Sequence, residues 1–203
     1  MKRASTRPGP TKPAGPDIVQ TGDPVLRASA KAVDAARIAT PEMQALVKTM
    51  IATMHAAPGV GLAAPQNGVP LRVIVLEDNE RLFANLSPEE RASRERIAFP
   101  TKTIFNPVLK LLGDERATFL EGCLSVSGLA AFVERAAEVE VTGLDEKAQA
   151  VRWRIRGWPA RILQHEVDHL DGTLYIDRML TRTFATVAHA NAFYAGKSIP
   201  ELI

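Results

Sequence analysis

Residues 164–169 carry the clearest chemical pattern in this chain. They contain the sequence H-E-x-x-H, in which His165 and His169 are four positions apart. Residues four apart on a helix lie on the same face, so the two imidazoles would point at one place. Glu166 would lie beside them, within reach of a water molecule held there. This spacing is typical of metal-dependent hydrolases, in which two histidines bind the metal and the glutamate acts as general base.

A helix around this pattern is indicated by the flanking residues. Pro159 lies near its start, where a missing N–H group costs nothing, and Gly172 can end it in a left-handed conformation. Leu163, Val167 and Leu170 recur at a spacing that would bury them beside the histidines. Two incidental histidines on an ordinary helix are the alternative, and the position of the glutamate between them argues against it.

A catalytic metal usually has three protein ligands, so the third must come from another part of the chain. Asp171 is too close along the chain to fold back easily, and Asp177 has no helix around it. Tyr175 stands where a longer form of the motif has a third histidine. Cys123 remains, and its neighbour Gly122 would let a metal approach the backbone. A thiolate and two imidazoles suit zinc and iron alike.

Residues 59–66 form a second segment with chemical potential. Gly59 and Gly61, together with small neighbours, would let another backbone approach closely. The segment lacks the G-K-[ST] ending of a phosphate-binding loop. Gln66 offers an amide N–H that could donate to a developing anion. A tight turn before a strand is the structural alternative.

Alternating and β-branched patterns predict several strands, which are followed by the helix that carries the histidines. The predicted strands are residues 71–76, 104–112, 139–141 and 151–155, with Pro107 marking an edge or a bulge in the second of them. Residues 175–177 are predicted as a short extended piece. We therefore expect an α+β fold, in which antiparallel strands pack around a central metal-binding helix.

Two further helices are predicted, one towards each end of the chain. Thr40 is a good N-cap, Pro41 suits the first helical position, and apolar residues recur at helical spacing up to Met54. Near the other end, residues 184–191 have an amphipathic pattern that Gly196 could close. The fold class is thus expected to include an N-terminal helix and a C-terminal helix.

Composition limits the class of protein. The chain has 203 residues, of which 46% are hydrophobic and 24% charged, and its formal net charge is +2. This balance is ordinary for a globular domain and gives little reason to expect sequence-specific nucleic-acid binding. We expect no membrane segment, because no window approaches the length of a spanning apolar helix. The single cysteine excludes an internal disulfide framework and fits a reducing compartment.

Residues 1–16 differ in composition from the rest. They contain four prolines, two glycines and four cations, and they have no acidic residue. This pattern predicts a disordered, basic, Pro-rich arm, followed by a single catalytic domain over residues 17–203. We expect a cytoplasmic protein. A mitochondrial or other organellar location is the alternative, if the arm is a transit signal.

Three segments together resemble the motifs of peptide deformylases in their order and spacing. They are G-V-G-L-A-A-P-Q at 59–66, E-G-C-L-S at 121–125 and Q-H-E-V-D-H at 164–169. The resemblance covers about residues 22–179. The 87–96 insertion and residues 157–161 and 181–184 look like the mitochondrial-type branch. The resemblance implies removal of the formyl group from the N-terminal formyl-methionine of new polypeptides, with release of formate.

The resemblance also implies a role for each residue of the site. The metal ligands would be Cys123, His165 and His169, the general base Glu166, and the oxyanion donors the Gln66 side chain and the Leu124 backbone N–H. Substrate contacts are expected at Gly61, Val60, Glu121 and Ile162, with Val60 and Ile162 our candidates for the methionine slot. The family typically uses one divalent metal ion, Fe²⁺, which Zn²⁺, Ni²⁺ or Co²⁺ can replace.

Two positions depart from the pattern of most bacterial members. Ser127 stands where they have proline, and Ala130 stands where they have an arginine that helps to hold the substrate. The expected partners are N-formyl-methionyl nascent peptides, with the ribosome as a further candidate, and the protein is expected to be a monomer or a homodimer. The rival functions are a zinc endopeptidase and a module that only binds nascent N-termini.

Overall fold

A six-stranded antiparallel sheet organises the part of the chain that the structure describes, which is residues 18–57, 59–194 and 199–201 of a computed structural model. The strands are β1 (Gly61–Ala63), β2 (Val73–Asp78), β3 (Phe99–Cys123), β4 (Val126–Leu144), β5 (Ala150–Arg156) and β6 (Ala185–Thr186). β1 to β5 lie side by side in chain order, and β6 pairs with β4. The hydrogen-bonded neighbours in the sheet are antiparallel.

Five α-helices accompany the sheet in the described residues. They are α1 (Ala35–Ile38), α2 (Pro41–Ala56), α3 (Pro88–Ser93), α4 (Trp158–Leu170) and α5 (Val187–Phe193). Short 3-10 turns lie at Pro24–Leu26, Ala64–Asn67, Glu80–Phe83, Tyr175–Asp177, Thr181–Thr183 and Ile199–Glu201. The α+β fold predicted from the sequence is confirmed. No helix in the described segments is long and apolar enough to cross a membrane.

The apolar strand β2 separates two cores. Successive side chains of a strand point to opposite faces, and here both faces are buried. Val73 and Val75 pack in one cluster with the buried face of α2, while Ile74 and Leu76 pack in another with the apolar residues of α4. The sheet therefore lies between α2 and α4, and α4 is fixed against it by a continuous apolar core.

Helix α4 begins and ends at glycines that the surroundings require. Gly157 has φ +70°, and a Cβ added there would lie 2.4 Å from the Cβ of Glu95. Gly172, just beyond the helix, has φ +72° as predicted. Within the helix, the Gln164 amide donates to the Ala136 carbonyl at 2.9 Å and accepts from its N–H at 3.0 Å. These contacts fix both the position of α4 and its rotation.

Several boundaries differ from the sequence-based prediction. β3 is far longer than residues 104–112, because bulges at 105–108 and 112–116 let it bend while it remains paired with β4. Pro107 lies within the first of these bulges, as predicted. The first predicted strand begins at Val73 instead of residue 71 and extends to Asp78.

The segment after α4 was predicted wrongly, and the final helix begins later than predicted. Tyr175–Asp177 is a 3-10 turn and not an extended piece, because the Asp177 carboxylate accepts from the Leu174 N–H at 2.8 Å and closes the turn. The last helix starts at Val187 instead of residue 184, because the Thr186 side chain caps it. Gly196 and the predicted arm at residues 1–16 lie outside the described residues.

Candidate metal centre and its cleft

Three potential metal ligands converge where the end of β3 meets α4. The sulfur of Cys123 and one nitrogen each of His165 and His169 all lie within 4.8 Å of one another. The sulfur is 3.3 Å from Nε2 of His169, and the two imidazole rings are 5.1 Å apart between centroids. The histidines occupy adjacent turns of α4, as their spacing predicted, and the end of β3 brings the cysteine to them.

The chemistry of these groups fits a divalent metal ion. Nδ1 of His165 faces Glu121 at 3.0 Å, which leaves its Nε2 for the cluster. Burial, together with the nearby charge of Arg135, holds the pKa of His169 well below its usual value. The neutral imidazole, which is the form that binds metals, is therefore favoured. A thiolate with two imidazoles is a donor set that both zinc and iron accept.

Glu121 connects the cluster to two buried arginines. Its carboxylate accepts from Arg135 Nε and Nη2, both at 2.9 Å, from Arg161 Nη1 at 2.5 Å and from His165 Nδ1 at 3.0 Å. Burial alone would raise the pKa of Glu121, but the hydrogen bonds from His165 and Arg135 hold it well below its usual value. The ionised carboxylate fixes the orientation of the His165 ring.

The charged cluster continues from Arg135 towards the surface. Arg135 donates to Asp168 at 2.5 Å, and Asp168 also accepts from Arg178 at 2.7 and 2.8 Å. Although burial opposes it, donation of hydrogen bonds to the carboxylates of Glu121 and Asp168 raises the pKa of Arg135, so it stays charged. Buried charges that are fully paired in this way hold one another in place.

Glu166 is the exception among the buried carboxylates. It is 4% exposed, and its Oε2 is buried without a hydrogen-bond partner in the described residues. Burial raises its pKa to about 7. Its side chain lies against Gly61, where an added Cβ would be 2.3 Å from Oε1. A carboxylate held unpaired beside a metal-binding cluster is poised to exchange protons near neutral pH.

Gln66 is oriented towards the same place. Its Oε1 accepts from the Ala63 N–H at 2.9 Å, which turns its amide nitrogen towards Ser125 Oγ at 3.2 Å and Cys123 Sγ at 3.6 Å. The side chain is 2% exposed. It therefore presents a rigid N–H donor beside the sulfur.

These groups line one cleft of about 540 Å³, a volume usual for small-ligand sites. The cleft lies between β1 and the last residues of β3. These residues pair with β4 on one side only, because β2 pairs with β3 no further along than Phe105. The predicted residues that line the cleft are Val60, Gly61, Gln66, Glu121, Cys123, Leu124, Ile162, His165 and Glu166. His169 is 1% exposed and lies behind this lining.

The two departures from the motif lie in β4. Ser127 is exposed, whereas Ala130 is 2% exposed and pairs with Gly122 on one side and Ala185 of β6 on the other. Strand β6 therefore runs along the edge of β4 at the position of the missing arginine.

The acidic residues rejected as third ligands have other partners. Asp171 pairs with Arg72, and Asp177 pairs with Arg27. Neither belongs to the group of potential metal ligands found in the described residues.

Sequence reasoning missed the buried arginines. Arg135 lies on the same inward face of β4 as Val133 and Val139, because side chains alternate between the two faces of a strand. The sequence therefore indicated a buried charge, which needs a carboxylate partner. Arg161 precedes His165 by one helical turn and therefore shares its face of α4. Both signals were present in the sequence, but their common partner Glu121 was visible only in the fold.

Comparison with known proteins places the chain in a family. Residues 16–184 match the family model described as "Polypeptide deformylase". The chain is 50% identical to "Peptide deformylase 1A, chloroplastic" of Solanum lycopersicum, over 87% of this chain and 64% of that protein. It is 44% identical to "Peptide deformylase, mitochondrial" of Homo sapiens, over 88% of this chain and 74% of that protein.

A solved structure agrees with the sequence comparisons. The Met-Ala-Ser bound crystal structure of the class I type b peptide deformylase from Acinetobacter baumannii matches with a TM-score of 0.73 at 32% identity. The match covers 83% of this chain and 100% of the Acinetobacter baumannii chain. From the matching family model, the close relatives and the shared fold, it follows that this chain belongs to the peptide deformylase family.

Proposed function

We propose that this protein is a metal-dependent amide hydrolase that removes the formyl group from the N-terminal formyl-methionine of newly made polypeptides and releases formate. The observation that carries the proposal is the unpaired, buried carboxylate of Glu166 beside the sulfur and imidazoles of Cys123, His165 and His169. Membership of the peptide deformylase family supports the same reaction.

Cys123, His165 and His169 are the proposed ligands of one divalent metal ion. When bound, such an ion lowers the pKa of water towards neutrality and polarises a carbonyl oxygen. The ion is Fe²⁺ in our proposal, with Zn²⁺, Ni²⁺ or Co²⁺ able to substitute. Purification without oxygen followed by elemental analysis tests this choice, and stoichiometric zinc with no iron would contradict it.

Glu166 handles the proton in this mechanism. It takes a proton from the water that attacks the formyl carbon, and it delivers that proton to the amine nitrogen as the carbon–nitrogen bond breaks. A pKa of about 7 lets the same carboxyl group accept and then return the proton near neutral pH. The products are formate and a peptide with a free amino terminus.

Gln66 and Leu124 stabilise the charge that develops on the formyl oxygen. The Gln66 side-chain N–H is held in place by the contact of its own oxygen with Ala63, and the Leu124 backbone N–H supplies the second donor in our proposal. Removing a donor of this kind usually costs about 3 kcal/mol of transition-state stabilisation.

The walls of the cleft select the substrate. Val60 and Ile162 supply the apolar slot for the methionine side chain, and the Gly61 backbone lines the path of the peptide. Glu121 acts through His165, whose ring it holds. A peptide that continues beyond its first residue is also seen in the Acinetobacter baumannii relative, which binds Met-Ala-Ser.

Formate release from a formyl-methionyl peptide is the direct test. We expect Glu166→Gln to lower kcat by about 10²- to 10⁴-fold with unchanged metal content, because the shape of the side chain stays while the base is lost. Glu134→Gln, which changes an exposed carboxylate of β4, is the matched control. A near wild-type rate in Glu166→Gln would overturn the mechanism.

The rival functions make different predictions. A zinc endopeptidase with a carboxylate as third ligand would keep its metal in Cys123→Ser, whereas our proposal expects metal loss. The salt bridges of Asp171 and Asp177 also speak against such a ligand. A module that only binds nascent N-termini would release no formate.

Further properties are proposed on the same basis. Residues 17–203 would form a single catalytic domain, and residues 1–16 a separate arm. The compartment is the cytoplasm in our proposal. The alternative is a mitochondrion or another organelle, which the names of the plant and human relatives support. Fluorescent fusions with and without residues 1–16 would separate the two. The partners are N-formyl-methionyl nascent chains, with the ribosome as a second partner and a monomer or homodimer as the assembly.

A further inference from the structure

Val187 is one of several residues of the cleft wall that neither the motifs nor the proposed mechanism uses. Val187, the first residue of α5, lines the cleft together with Gly128 and Leu129 of β4. Among the described residues that line it, Val187 is the one contributed by the chain beyond α4. It is 41% exposed, so an apolar surface faces the cleft without being covered by the protein.

The segment that carries Val187 is firmly attached to β4. Strand β6 pairs Ala185 with Ala130 and Thr186 with Leu129. Before it, the Leu180 N–H donates to the Phe132 carbonyl at 2.8 Å. The segment therefore forms a fixed wall, and such a wall can discriminate between side chains because it does not yield to them.

Further contacts hold the two ends of this segment. The Phe132 N–H donates to Thr183 Oγ1 at 3.0 Å, and the Phe132 ring lies 6.0 Å from that of Tyr194 just beyond α5. Ala190, on the inner face of α5, is 1% exposed. The segment is thus anchored both before and after Val187.

This wall comes from other elements than the reacting groups do. The ligands, the base and the two oxyanion donors come from β3, the residue that follows it, α4 and the turn before β2. The slot proposed for methionine lies at Val60 and Ile162. Leu129 belongs instead to β4, and Val187 directly follows β6, the strand that pairs with the edge of β4. A peptide whose first residue fills the methionine slot must place its later residues along another part of the cleft.

We propose that Val187, with Leu129, forms the part of the cleft that contacts the side chains following the first residue of the substrate, and that it favours apolar residues there. The inference rests on the proposed deformylase function and deepens it. Because the contact is apolar and half-exposed, a charge placed at Val187 should change the preference for charged substrate residues of either sign.

The experiment compares charge swaps at two positions of α5. Val187→Asp and Val187→Lys are assayed with formyl-methionyl peptides that carry Lys or Glu at position two, three or four. The readout is the ratio of kcat/KM for the Lys peptide to that for the Glu peptide. At one of these positions we expect the ratio to rise about fivefold in Val187→Asp and to fall about fivefold in Val187→Lys.

Phe193 supplies the matched control. It lies at the other end of α5, is 58% exposed and is not among the residues that line the cleft. Phe193→Asp and Phe193→Lys should leave the ratio within about twofold of wild type, because these charges would be exposed to solvent and would not line the cleft. Equal responses at 187 and 193 would indicate a long-range field and overturn the proposal.

The two proposals fail in distinguishable ways. If the wild-type enzyme releases no formate, the proposed function fails. If the wild-type enzyme is active and the ratio is unchanged in both Val187 variants at all three peptide positions, the function stands and the inference about Val187 is wrong.

Discussion

Two groups of arginine–carboxylate pairs in this protein differ in how far water reaches them. The inner cluster consists of Glu121, Asp168, Arg135 and Arg161, whose side chains are 3–11% exposed. The outer ladder joins Arg152 to Glu140 and Arg154 to Glu138 across β4 and β5, and its arginines are 74% and 66% exposed. The pair chemistry is the same, but the consequences of breaking a pair are not.

Burial explains why only the inner cluster can position a metal ligand. Removing charges from water is costly, so each inner group depends on its partners and holds them in a fixed geometry. Glu121 then passes that geometry to the ring of His165. An exposed pair can exchange its partner for water at little cost, so the outer ladder holds nothing rigidly. The same two residue types thus act as an internal frame in one region and as a solvated surface in the other.

The largest effect is expected for Glu121→Ala. The substitution leaves Arg135 and Arg161 buried without their shared carboxylate, which usually costs about 3–5 kcal/mol of the free energy of unfolding. Urea denaturation of the metal-loaded protein measures this loss. We also expect faster metal loss to a chelator, because the His165 ring is no longer held.

A second variant keeps this prediction testable if Glu121→Ala does not fold. Glu121→Gln retains the shape and removes the charge, and it should show the same direction in both measurements with a smaller size. A stability loss below about 1 kcal/mol in both variants would place the inner cluster in the same class as surface pairs, and the comparison would fail.

A smaller effect is expected for Arg161→Met. The arginine donates to Glu121 at 2.5 Å and to the Val133 and Ala117 carbonyls at 3.0 and 2.5 Å. Methionine fills a similar volume but donates nothing, while Arg135 still neutralises Glu121. We expect a loss of about 2 kcal/mol in urea denaturation, the usual scale for hydrogen bonds to charged groups. Arg154→Met in the outer ladder is the control, and an equal loss there would contradict the distinction.

Features that depend on residues close together in the chain could be predicted from the sequence. The spacing of His165, Glu166 and His169 is a local property of one helix, so it could be read directly. The start of α2 at Thr40 and Pro41 was equally local, and the structure has the Thr40 side chain as the cap. Local signals of this kind need no knowledge of the fold.

The interactions that sequence reasoning missed join distant parts of the chain. Glu121 meets Arg135 through the pairing of β3 with β4, and it meets Arg161 only because α4 crosses that hairpin. The bulges that extend β3 past Pro107 depend on its partner strand, and β6 reaches Ala130 only after the chain has passed through α4. No local pattern encodes such register, so these features became visible only in three dimensions.

Glu77 is a third, partly exposed carboxylate, and its contribution to the stability of the fold should depend on pH. Its side chain is 16% exposed. Hydrogen bonds from Thr101, Asn79 and His55 lower its pKa from 4.5 to about 2. A lowered carboxyl pKa stabilises the fold above the unfolded value of 4.5, and this contribution is lost as the pH falls towards 2. Glu77→Gln should therefore be less stable than wild type at pH 7.

The sign of this effect is tested by denaturation at several pH values. We expect a difference of about 1 kcal/mol at neutral pH, since solvent screens a partly exposed group, and the difference should shrink steadily as the pH falls from 5 to 3. Thr101→Val, which removes one of the donors, should show part of the same dependence. A difference that grows on acidification would show that Glu77 does not stabilise the fold as an anion.

The smallest effect is expected for Glu140→Gln in the outer ladder. Arg152 donates to Glu140 at 2.8 and 3.1 Å, and this hydrogen bond lowers the carboxyl pKa. The geometry is as good as that of the inner pairs, so geometry alone would predict a comparable loss. Because Arg152 is 74% exposed, water and salt replace the lost partner, and the urea midpoint should stay within experimental error of wild type. A midpoint shift close to that of Glu121→Gln would mean that pairing geometry, and not exclusion of water, decides how strongly these arginines hold their carboxylates.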